Sequence, residues 1–329
     1  MSEVGAYPVL NGGMNPSGFT EKYNEEKDTI TISQGGASAG YVNWMDRKFW
    51  AGAHCFVVKP NNDVLNNRYL YFILKNSEHI LMQAKQGAGI PGLNRDKVKN
   101  LMLPVPPLEV QEEIVRILDH FTNLAAELQA ELQARKEQYE YYRNKLLAFA
   151  KTDGVEYKKL GEVCTINRGI RVVRSQLTQE SKYPVYQNSL IPLGNYDYFN
   201  CEANTTFIIA AGAAGKIGFC KSPFWAADDC FYFKSQKLEQ RYIYHVLLSN
   251  QDYFIHKVRK ASVPRISRSI IEKFEIPIPS LSKQQYIVSI LDKFDALVND
   301  LSQGLPAEIA AVKEQYEYYR NKLLSFPRI

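Results

Sequence analysis

The sequence KEQYEYYRNKLL occurs twice in this chain, letter for letter, at Lys136–Leu147 and at Lys313–Leu324. Twelve consecutive identical residues do not recur by chance in a chain of 329 residues, so the protein contains an internal duplication. We call these segments the first and second copies of the repeat block. Because each repeat of a duplicated sequence folds as one structural unit, the duplication predicts two related units.

The similarity between the two halves extends upstream of the repeat block and then weakens. Pro104–Leu108 corresponds to Pro277–Leu281, and Ile114–Phe121 corresponds to Ile287–Phe294. Further upstream only short matches remain, namely Phe49–Ala51 with Phe224–Ala226 and Tyr7–Val9 with Tyr183–Val185. Each half is therefore a variable region, which we call the head, followed by a nearly constant region, the tail. This organisation indicates two different recognition events that share one geometry.

The first tail predicts a long amphipathic helix. From Leu108 to Phe149, apolar residues recur mostly at steps of three and four, and neither Gly nor Pro interrupts them. Roughly 40 residues that rise 1.5 Å each make a rod about 60 Å long. A helix with one apolar stripe must bury that stripe, so we expect the first tail to pack against the second tail, Leu281–Phe326.

The second tail carries two further signals. The spacing of Ser282 and Gln285 fits a capping box, in which two side chains satisfy backbone N–H groups at the start of a helix. Downstream, Gly304 suits the end of one helix and Pro306 suits the first turn of another. We therefore expect a break or kink within Ser302–Pro306.

The heads predict mixed α/β folds. Short runs rich in β-branched or aromatic residues predict strands at Asp28–Ser33, Cys55–Lys59, Thr206–Ala210 and Cys230–Lys234. Helical patterns cover Arg68–Lys75 and Arg241–Asn250. The loops Gly35–Gly40 and Ala211–Lys216 are rich in small residues but match neither nucleotide-binding glycine motif, so we expect tight turns that lie close to a nucleic-acid backbone.

Composition excludes several classes of protein. No apolar run approaches 18 residues, and the N-terminus lacks a basic region followed by an apolar core. These features argue against a membrane or secreted protein and predict a cytoplasmic one. The formal net charge of +5 permits a polyanionic partner without requiring one. The five cysteines form no C-x-x-C pair, which favours reduced residues near a core over metal or disulfide roles.

The sequence also offers no catalytic constellation. Asn15–Gly18 departs from the tetrapeptide of enzymes that methylate a base amino group, and no glycine-rich methyl-donor motif is present. The five histidines lack the spacing of metal ligands. We therefore predict a non-catalytic protein without metal or cofactor.

Two segments carry a resemblance to a known family. The sequence IPIPSLSKQQYIVSILD at Ile276–Asp292 follows a head that opens with Lys159–Val163, and a close variant of it stands at Leu103–Asp119. In this combination the chain resembles the DNA specificity subunit of type I restriction–modification systems. The resemblance covers nearly the whole chain. It implies two α/β (α+β) target recognition domains in tandem, held apart by two long antiparallel helices and related by a pseudo-twofold axis.

The resemblance also implies partners and domain boundaries. Members of the family bind double-stranded DNA, dock two DNA methyltransferase subunits and then motor-nuclease subunits, and perform no chemistry themselves. The expected boundaries are residues 1–107 for the first recognition domain, 108–150 for the first helical spacer, 151–280 for the second domain and 281–326 for the second spacer. The alternative is a protein-binding scaffold in which a coiled coil separates the heads.

Basic and amide side chains in the heads are the candidates for DNA contacts, because such groups bind phosphates and base edges. Those of the first head are Asn43, Arg47, Lys48, Asn94 and Arg95, and those of the second head are Arg168, Arg171, Arg174, Lys216, Lys221, Arg265 and Arg268. Arg95 and Arg268 occupy equivalent places in the repeat. Any single member of this set could instead be a solvated surface cation.

The repeat block supplies the candidates for partner contacts. Packing tolerates substitution, whereas here polar residues are repeated unchanged as well, which favours two equivalent surfaces for two copies of one partner. The candidates are Tyr139, Tyr142 and Arg143 with their copies Tyr316, Tyr319 and Arg320. Packing of rod against rod, or a recent duplication, would also account for the identity.

One segment of the second half has no counterpart in the first. By the repeat, Tyr7 corresponds to Tyr183, so nothing in the first head matches Tyr157–Gln176. We therefore expect that the first recognition domain is shortened at its N-terminal side or that another segment replaces the missing piece.

Overall fold

The protein is described by a computed structural model that covers residues 4–87, 91–150 and 154–326. Contacts within the chain form two compact units. The first unit comprises Met1–Gln129 and Glu308–Ile329, and the second comprises Ala130–Ala307. Each unit therefore contains one head together with segments of both tails.

The first head is built from two small sheets and three short helices. Its strands are β1 (Tyr7–Leu10), β2 (Gly18–Thr20), β3 (Thr29–Ser33), β4 (Val42–Met45), β5 (Trp50–Ala51) and β6 (Cys55–Val58), and its helices are α1 (Asn67–Asn76), α2 (Glu78–Gln83) and α3 (Arg95–Lys99). The strand orders are β2-β1-β5 and β4-β3-β6. β3 is fully buried, and its Ile30 and Ile32 form a core with α1.

The tail that follows the first head is α4 (Leu108–Leu147), which leads into the second head. The elements of the second head are β7 (Glu156–Lys159), α5 (Leu160–Val163), β8 (Thr165–Arg168), a 3-10 turn (Arg174–Gln176), β9 (Tyr183–Tyr186), β10 (Asn195–Tyr196), β11 (Thr205–Ile209), β12 (Ile217–Cys220), β13 (Trp225–Ala226), β14 (Cys230–Lys234), α6 (Gln240–Ser249), α7 (Gln251–His256), α8 (Arg268–Glu272) and β15 (Glu275–Ile278). Its strand orders are β10-β9-β13, β12-β11-β14-β8 and β15-β7.

From β1 and β9 onward the two heads have the same order of elements up to α3 and α8, which confirms the internal repeat and the mixed α/β class. The strands and helices predicted in the heads are found within one or two residues of their expected ends. The heads differ in their sheets. In the described residues the sheet of β3 has three strands, whereas the equivalent sheet of the second head has β8 as a fourth, and the pair β15-β7 has no counterpart in the first head.

The second tail consists of two helices, α9 (Leu281–Asn299) and α10 (Leu305–Leu323), which confirms the predicted break. Asp300 ends α9 and accepts hydrogen bonds from the Ser302 hydroxyl and backbone N–H. Gly304 lies so close to the end of α9 that an added Cβ would stand 2.5 Å from the Ala296 carbonyl oxygen. Close approach of the backbone is therefore the reason for glycine here.

The predicted capping box at Ser282 is wrong. Ser280 is the N-cap residue of α9, and its hydroxyl accepts a 3.4 Å hydrogen bond from the Lys283 N–H. Pro279 ends the preceding extended segment, so the helix begins two residues earlier than the Ser282 spacing indicated.

A buried glutamine fixes each head to the start of its tail. The Gln111 side chain accepts a hydrogen bond from the Asn66 N–H and donates to the carbonyls of Val64 and Pro106. Gln284 repeats these three bonds, with the Glu239 N–H as donor and the carbonyls of Lys237 and Pro279 as acceptors, at 2.9–3.1 Å. Both glutamines are fully buried. We call this arrangement the glutamine clip.

An ion pair and a tyrosine reinforce each clip. Arg68 of α1 bonds Asp119 of α4 at 2.6 Å, and Arg241 of α6 bonds Asp292 of α9 at the same distance. The hydroxyls of Tyr69 and Tyr242 donate to the carbonyls of Pro104 and Pro277. The repeat thus conserves the joint between head and tail in atomic detail.

Each copy of the repeat block packs in the unit that contains the head of the other half. In the first unit, the second copy packs on the first head and its tail, and Tyr319 stacks on Phe121 at 5.3 Å. In the second unit, the first copy packs on the second head and its tail, and Tyr142 stacks on Phe294 at 5.5 Å. The predicted contact between the two tails is confirmed within each unit.

Replacing Gln284 tests the glutamine clip. Gln284→Leu leaves the Glu239 N–H and two carbonyls buried without partners, and we expect the free energy of unfolding to fall by about 1–3 kcal/mol. Gln285, its exposed neighbour on α9, is the control, and Gln285→Leu should change stability by less than about 0.5 kcal/mol. Urea unfolding followed by circular dichroism measures both. Equal losses in the two variants would contradict the clip.

Candidate functional site

Three loops converge beside the sheet of the second head. The turn Ala211–Lys216 connects β11 to β12 and lies between two other segments. Its Ala213 N–H donates to the Asn188 carbonyl at 2.9 Å, and its Gly212 N–H donates to the Pro264 carbonyl at 3.1 Å. Gly212 has φ of +81°, and a Cβ there would stand 2.8 Å from the Asn188 carbonyl oxygen, so this turn requires glycine. We call this the three-loop surface.

The first head has the same three-loop surface. Its turn, Gly35–Gly40, is bonded on one side by the Ser38 hydroxyl to the Gly12 carbonyl at 2.7 Å. On the other side the Gly36 N–H donates to the Pro91 carbonyl at 2.8 Å. Ala88–Ile90, which belong to the third loop, lie outside the described residues. The predicted tight turns are therefore confirmed in both heads.

Three of the candidate cations of the second head lie close together. Lys216 and Arg265 are exposed on the three-loop surface, where Arg265 pairs in a β-bridge with Ala211. Arg168 at the end of β8 donates to the Asp228 carbonyl at 2.8 Å, and the neighbouring Asp229 carboxylate is 3.9 Å from the Arg265 guanidinium. These cations form a basic surface around one end of the sheet.

Of the other candidates of the second head, Lys221 lines the same surface depression as Lys216, and the rest lie on other segments. Lys221 follows β12 and Lys216 precedes it, so the two lysines stand at opposite ends of that strand. Arg171 and Arg174 are exposed on the segment after β8. Arg268 is exposed at the start of α8 and bonds Glu272 within the helix at 2.7 Å.

The candidates of the first head do not form one surface. Arg47 and Lys48 follow β4, at the opposite end of the hairpin from the three-loop surface, and Lys48 bonds Tyr23 and Glu26. Asn43 is half-buried on β4. Asn94 caps α3 by accepting from the Asp96 N–H, so its oxygen is used locally. Arg95 starts α3 and is exposed, in the place that Arg268 takes in the second head.

Sequence reasoning missed two cations. Arg259 and Lys260 are exposed on the third loop of the second head, and the Arg259 and Arg265 backbones form a β-bridge. The run of basic residues from Lys257 to Arg265 was the available signal. The equivalent residues of the first head are Gln86 and Gly87, so the two three-loop surfaces share a backbone but differ in charge.

The repeat blocks present the same residues in both units. The Tyr142 ring stacks on Phe294 and the Tyr319 ring stacks on Phe121, and the two side chains are 36 % and 38 % exposed. Tyr139 is buried and Tyr316 is partly buried, and each packs in the core of its unit. Arg143 and Arg320 are half-buried. Tyr141 and Tyr318, which we had not singled out, are each 59 % exposed.

The chain matches the sequence profile of the type I restriction modification DNA specificity domain twice, at residues 1–137 and 152–311. The chain belongs to this specificity family. The resemblance inferred from the sequence is therefore confirmed, and with it the prediction of a specificity subunit that is not an enzyme.

Individual relatives support the same family assignment. The specificity subunit of a type I restriction enzyme from Escherichia coli is 35% identical, over 98% of this chain and 87% of its own length. A putative specificity subunit from Haemophilus influenzae is 31% identical, over 96% of this chain and 87% of its own. The crystal structure of a type I S subunit from M. genitalium shares the fold with a TM-score of 0.76 at 20% identity, over 99% of this chain and 91% of that one.

In the part of this specificity-family chain that the structure describes, no group of three or more His, Cys, Asp or Glu residues could hold a metal ion, and no helix is long and apolar enough to cross a membrane. The five cysteines are unpaired, and burial raises the pKa of Cys55 and Cys164 to about 11. Cys164, Cys201, Cys220 and Cys230 are buried, and Cys55 is half-buried.

The second unit of this specificity-family chain holds a buried histidine at a position where the first unit has a phenylalanine. His245 on α6 stands where the first head has Phe72. Its ring lies 2.8 Å from the Asp292 carboxylate and 3.4 Å from the Tyr139 hydroxyl of the repeat block. Burial lowers the pKa of His245 in spite of the bond to Asp292. The folded protein therefore holds the imidazole neutral.

This environment predicts a pH dependence of stability. A histidine whose pKa is lowered by folding takes up a proton on unfolding once the pH is below its unfolded pKa of about 6.5, so stability falls as the pH falls. We expect His245→Phe to reduce the stability loss between pH 7.5 and 5, by at most about 1.4 kcal/mol per pH unit. The exposed His256 is the control, and His256→Gln should keep the parental loss. Urea midpoints across this range measure it, and parallel profiles for parent and His245→Phe would contradict the assignment.

Proposed function

We propose that this chain is the DNA sequence-recognition subunit of a type I restriction–modification complex, which reads a bipartite, asymmetric target and docks methyltransferase subunits. The observation that carries the proposal is the pair of heads with one backbone plan and different surface residues. Two related DNA-binding heads on one chain suit a duplex target that consists of two half-sites. Because the heads differ in sequence, the half-sites differ as well.

The basic surface of the second head supports double-stranded DNA as its ligand. Lys216, Arg259, Lys260 and Arg265 are exposed together, and such side chains neutralise phosphates. Arg268 lies three residues beyond Arg265, and a guanidinium can bind a guanine edge with two hydrogen bonds. The first head offers Arg95 in the place of Arg268, but its three-loop surface is less basic. We infer that the second head contributes the larger share of phosphate contacts.

The repeat blocks support two copies of one protein partner. The exposed fractions of Tyr141 and Tyr318 are equal, and those of Tyr142 and Tyr319 differ by two percentage points. Two surfaces with the same residues at the same exposure suit two identical partners, which we propose to be methyltransferase subunits. Motor-nuclease subunits then join the full complex, as the family implies. A cytoplasmic location is part of the same proposal, since that compartment holds the DNA and keeps thiols reduced.

Substitutions in the second head should separate DNA binding from assembly. We expect Arg268→Ala to weaken DNA binding while the chain still assembles with the methyltransferase subunit. Loss of a base contact would cost about 1–3 kcal/mol and relax the preference at one position. Loss of a phosphate contact would weaken all sequences alike and reduce the salt slope by about one charge. Lys273→Ala, an exposed cation at the other end of α8, should bind as the parent does.

The reverse behaviour is expected of the repeat blocks. Tyr141→Ala combined with Tyr318→Ala should impair assembly with the methyltransferase subunit and leave the fold intact, because both rings are exposed. The target is first found by mapping methylated sites in a host, and each variant is then titrated with the subunit and with DNA at two salt concentrations. An Arg268→Ala variant that binds DNA like the parent, or that fails to assemble, would refute its role. A chain that assembles but shows no salt-dependent DNA binding would favour the protein-binding scaffold.

A further inference from the structure

The loop that joins β9 to β10 carries an exposed apolar side chain beside the three-loop surface of the second head. Asn188, whose carbonyl is bonded to the glycine turn, belongs to this loop. Ile191 lies three residues further along and is 77 % exposed. Leu190 and Ile191 line the same surface depression as Lys216, a member of the proposed basic DNA surface. Ile191 therefore stands near a cation that would hold a phosphate.

The backbone of the β9–β10 loop is bonded into one shape around Ile191. The Ser189 hydroxyl donates to the Ile191 carbonyl at 2.9 Å and accepts from the Ile191 N–H at 3.2 Å. Pro192 follows directly and disfavours helical conformations of the Ile191 backbone. The Leu193 N–H then closes the loop by donating to the Val185 carbonyl at 2.8 Å. The loop thus fixes where the Ile191 side chain leaves the backbone.

The first head has the same loop with a different side chain in the same place. Its β1–β2 loop is closed by the Ser17 N–H, which donates to the Val9 carbonyl at 2.8 Å and so repeats the closing bond of the second head. Pro16 precedes this bond as the proline does in the second head. Asn15 therefore takes the place of Ile191, and it is exposed as well. One backbone frame presents an aliphatic side chain in one head and an amide in the other.

These two side chains suit different base edges of the major groove. An aliphatic side chain offers a phosphate no hydrogen bond, but it makes an apolar contact with the C5 methyl group of thymine, whereas an asparagine amide forms two hydrogen bonds with N6 and N7 of adenine. We propose that Ile191 contacts a thymine methyl group in the half-site of the second head and that Asn15 binds an adenine in the half-site of the first. This inference rests on the proposed DNA-recognition function and assigns one base-reading position to each head.

Exchanging the two side chains tests the assignment in the assembled complex. We expect Ile191→Asn to change or relax the preference at one A·T pair of one half-site, and Asn15→Ile to do the same in the other half-site, because the frame around each residue is retained. Leu297→Asn is the control, since Leu297 is also exposed but lies on α9, and its target should match that of the parent. Mapping methylated sites in a host that carries each complex measures the targets.

Base analogues then identify the contacts. Replacing the assigned thymine by deoxyuridine removes one methyl group and should weaken binding by the parent complex about fourfold, whereas Ile191→Ala should bind the two duplexes equally. Replacing the assigned adenine by 7-deazaadenine removes the N7 acceptor and should weaken binding by the parent about tenfold, whereas Asn15→Ala should bind both duplexes equally. Fluorescence anisotropy of labelled duplexes measures each affinity.

The outcomes separate this inference from the function on which it rests. A parent complex that binds no duplex DNA overturns the proposed function and the inference with it. A parent complex that recognises a bipartite target which neither exchange alters overturns the inference alone. The same holds if either half-site lacks an A·T pair, if the parent binds the analogues as tightly as the natural bases, or if the alanine variants discriminate against the analogues as the parent does.

Discussion

The joint between head and tail is the constraint on which the rest of the structure depends. A head without its tail would leave the backbone groups before α1 or α6 unbonded, because the buried side chain of Gln111 or Gln284 satisfies them. The clip is accompanied by an arginine–aspartate pair and by a tyrosine hydroxyl bonded to the segment before the tail. Each of these bonds is made twice with the same chemistry. The heads are therefore free to vary in their loops while their orientation on the helices stays fixed.

The repeat blocks complete this scheme because each packs in the unit of the other half. The first copy follows the first head in sequence but contributes Tyr139 and Leu147 to the core of the second unit. The second copy contributes Leu324 to the first unit. Each unit is thus closed by a segment distant in sequence, so the two heads depend on both tails. Equivalent surroundings explain the inward residues of the block, and the proposed docking of two copies of one partner would explain the identity of the exposed Tyr141 and Tyr318.

Much of this could be predicted from the sequence, and the failures have physical reasons. The tails follow the 3.6-residue period over many turns, and the buried strands are short apolar runs bounded by turn residues, so both were recognisable. The start of α9 was misplaced because two serines, Ser280 and Ser282, both suit an N-cap. Which head each repeat block joins could not be predicted, since the two copies are identical. The candidate cations were only partly grouped, because some of them, such as Lys48, bond to neighbours at the far end of a hairpin.

The claim at the centre of this account is that the two repeat blocks are two equivalent docking surfaces for one partner. Native mass spectrometry of the chain mixed with an excess of its methyltransferase subunit counts the bound copies directly. The account predicts two subunits per chain in the parent, and one when Tyr318→Ala removes a single exposed ring and weakens one surface. A parent complex that saturates at one subunit per chain would contradict it.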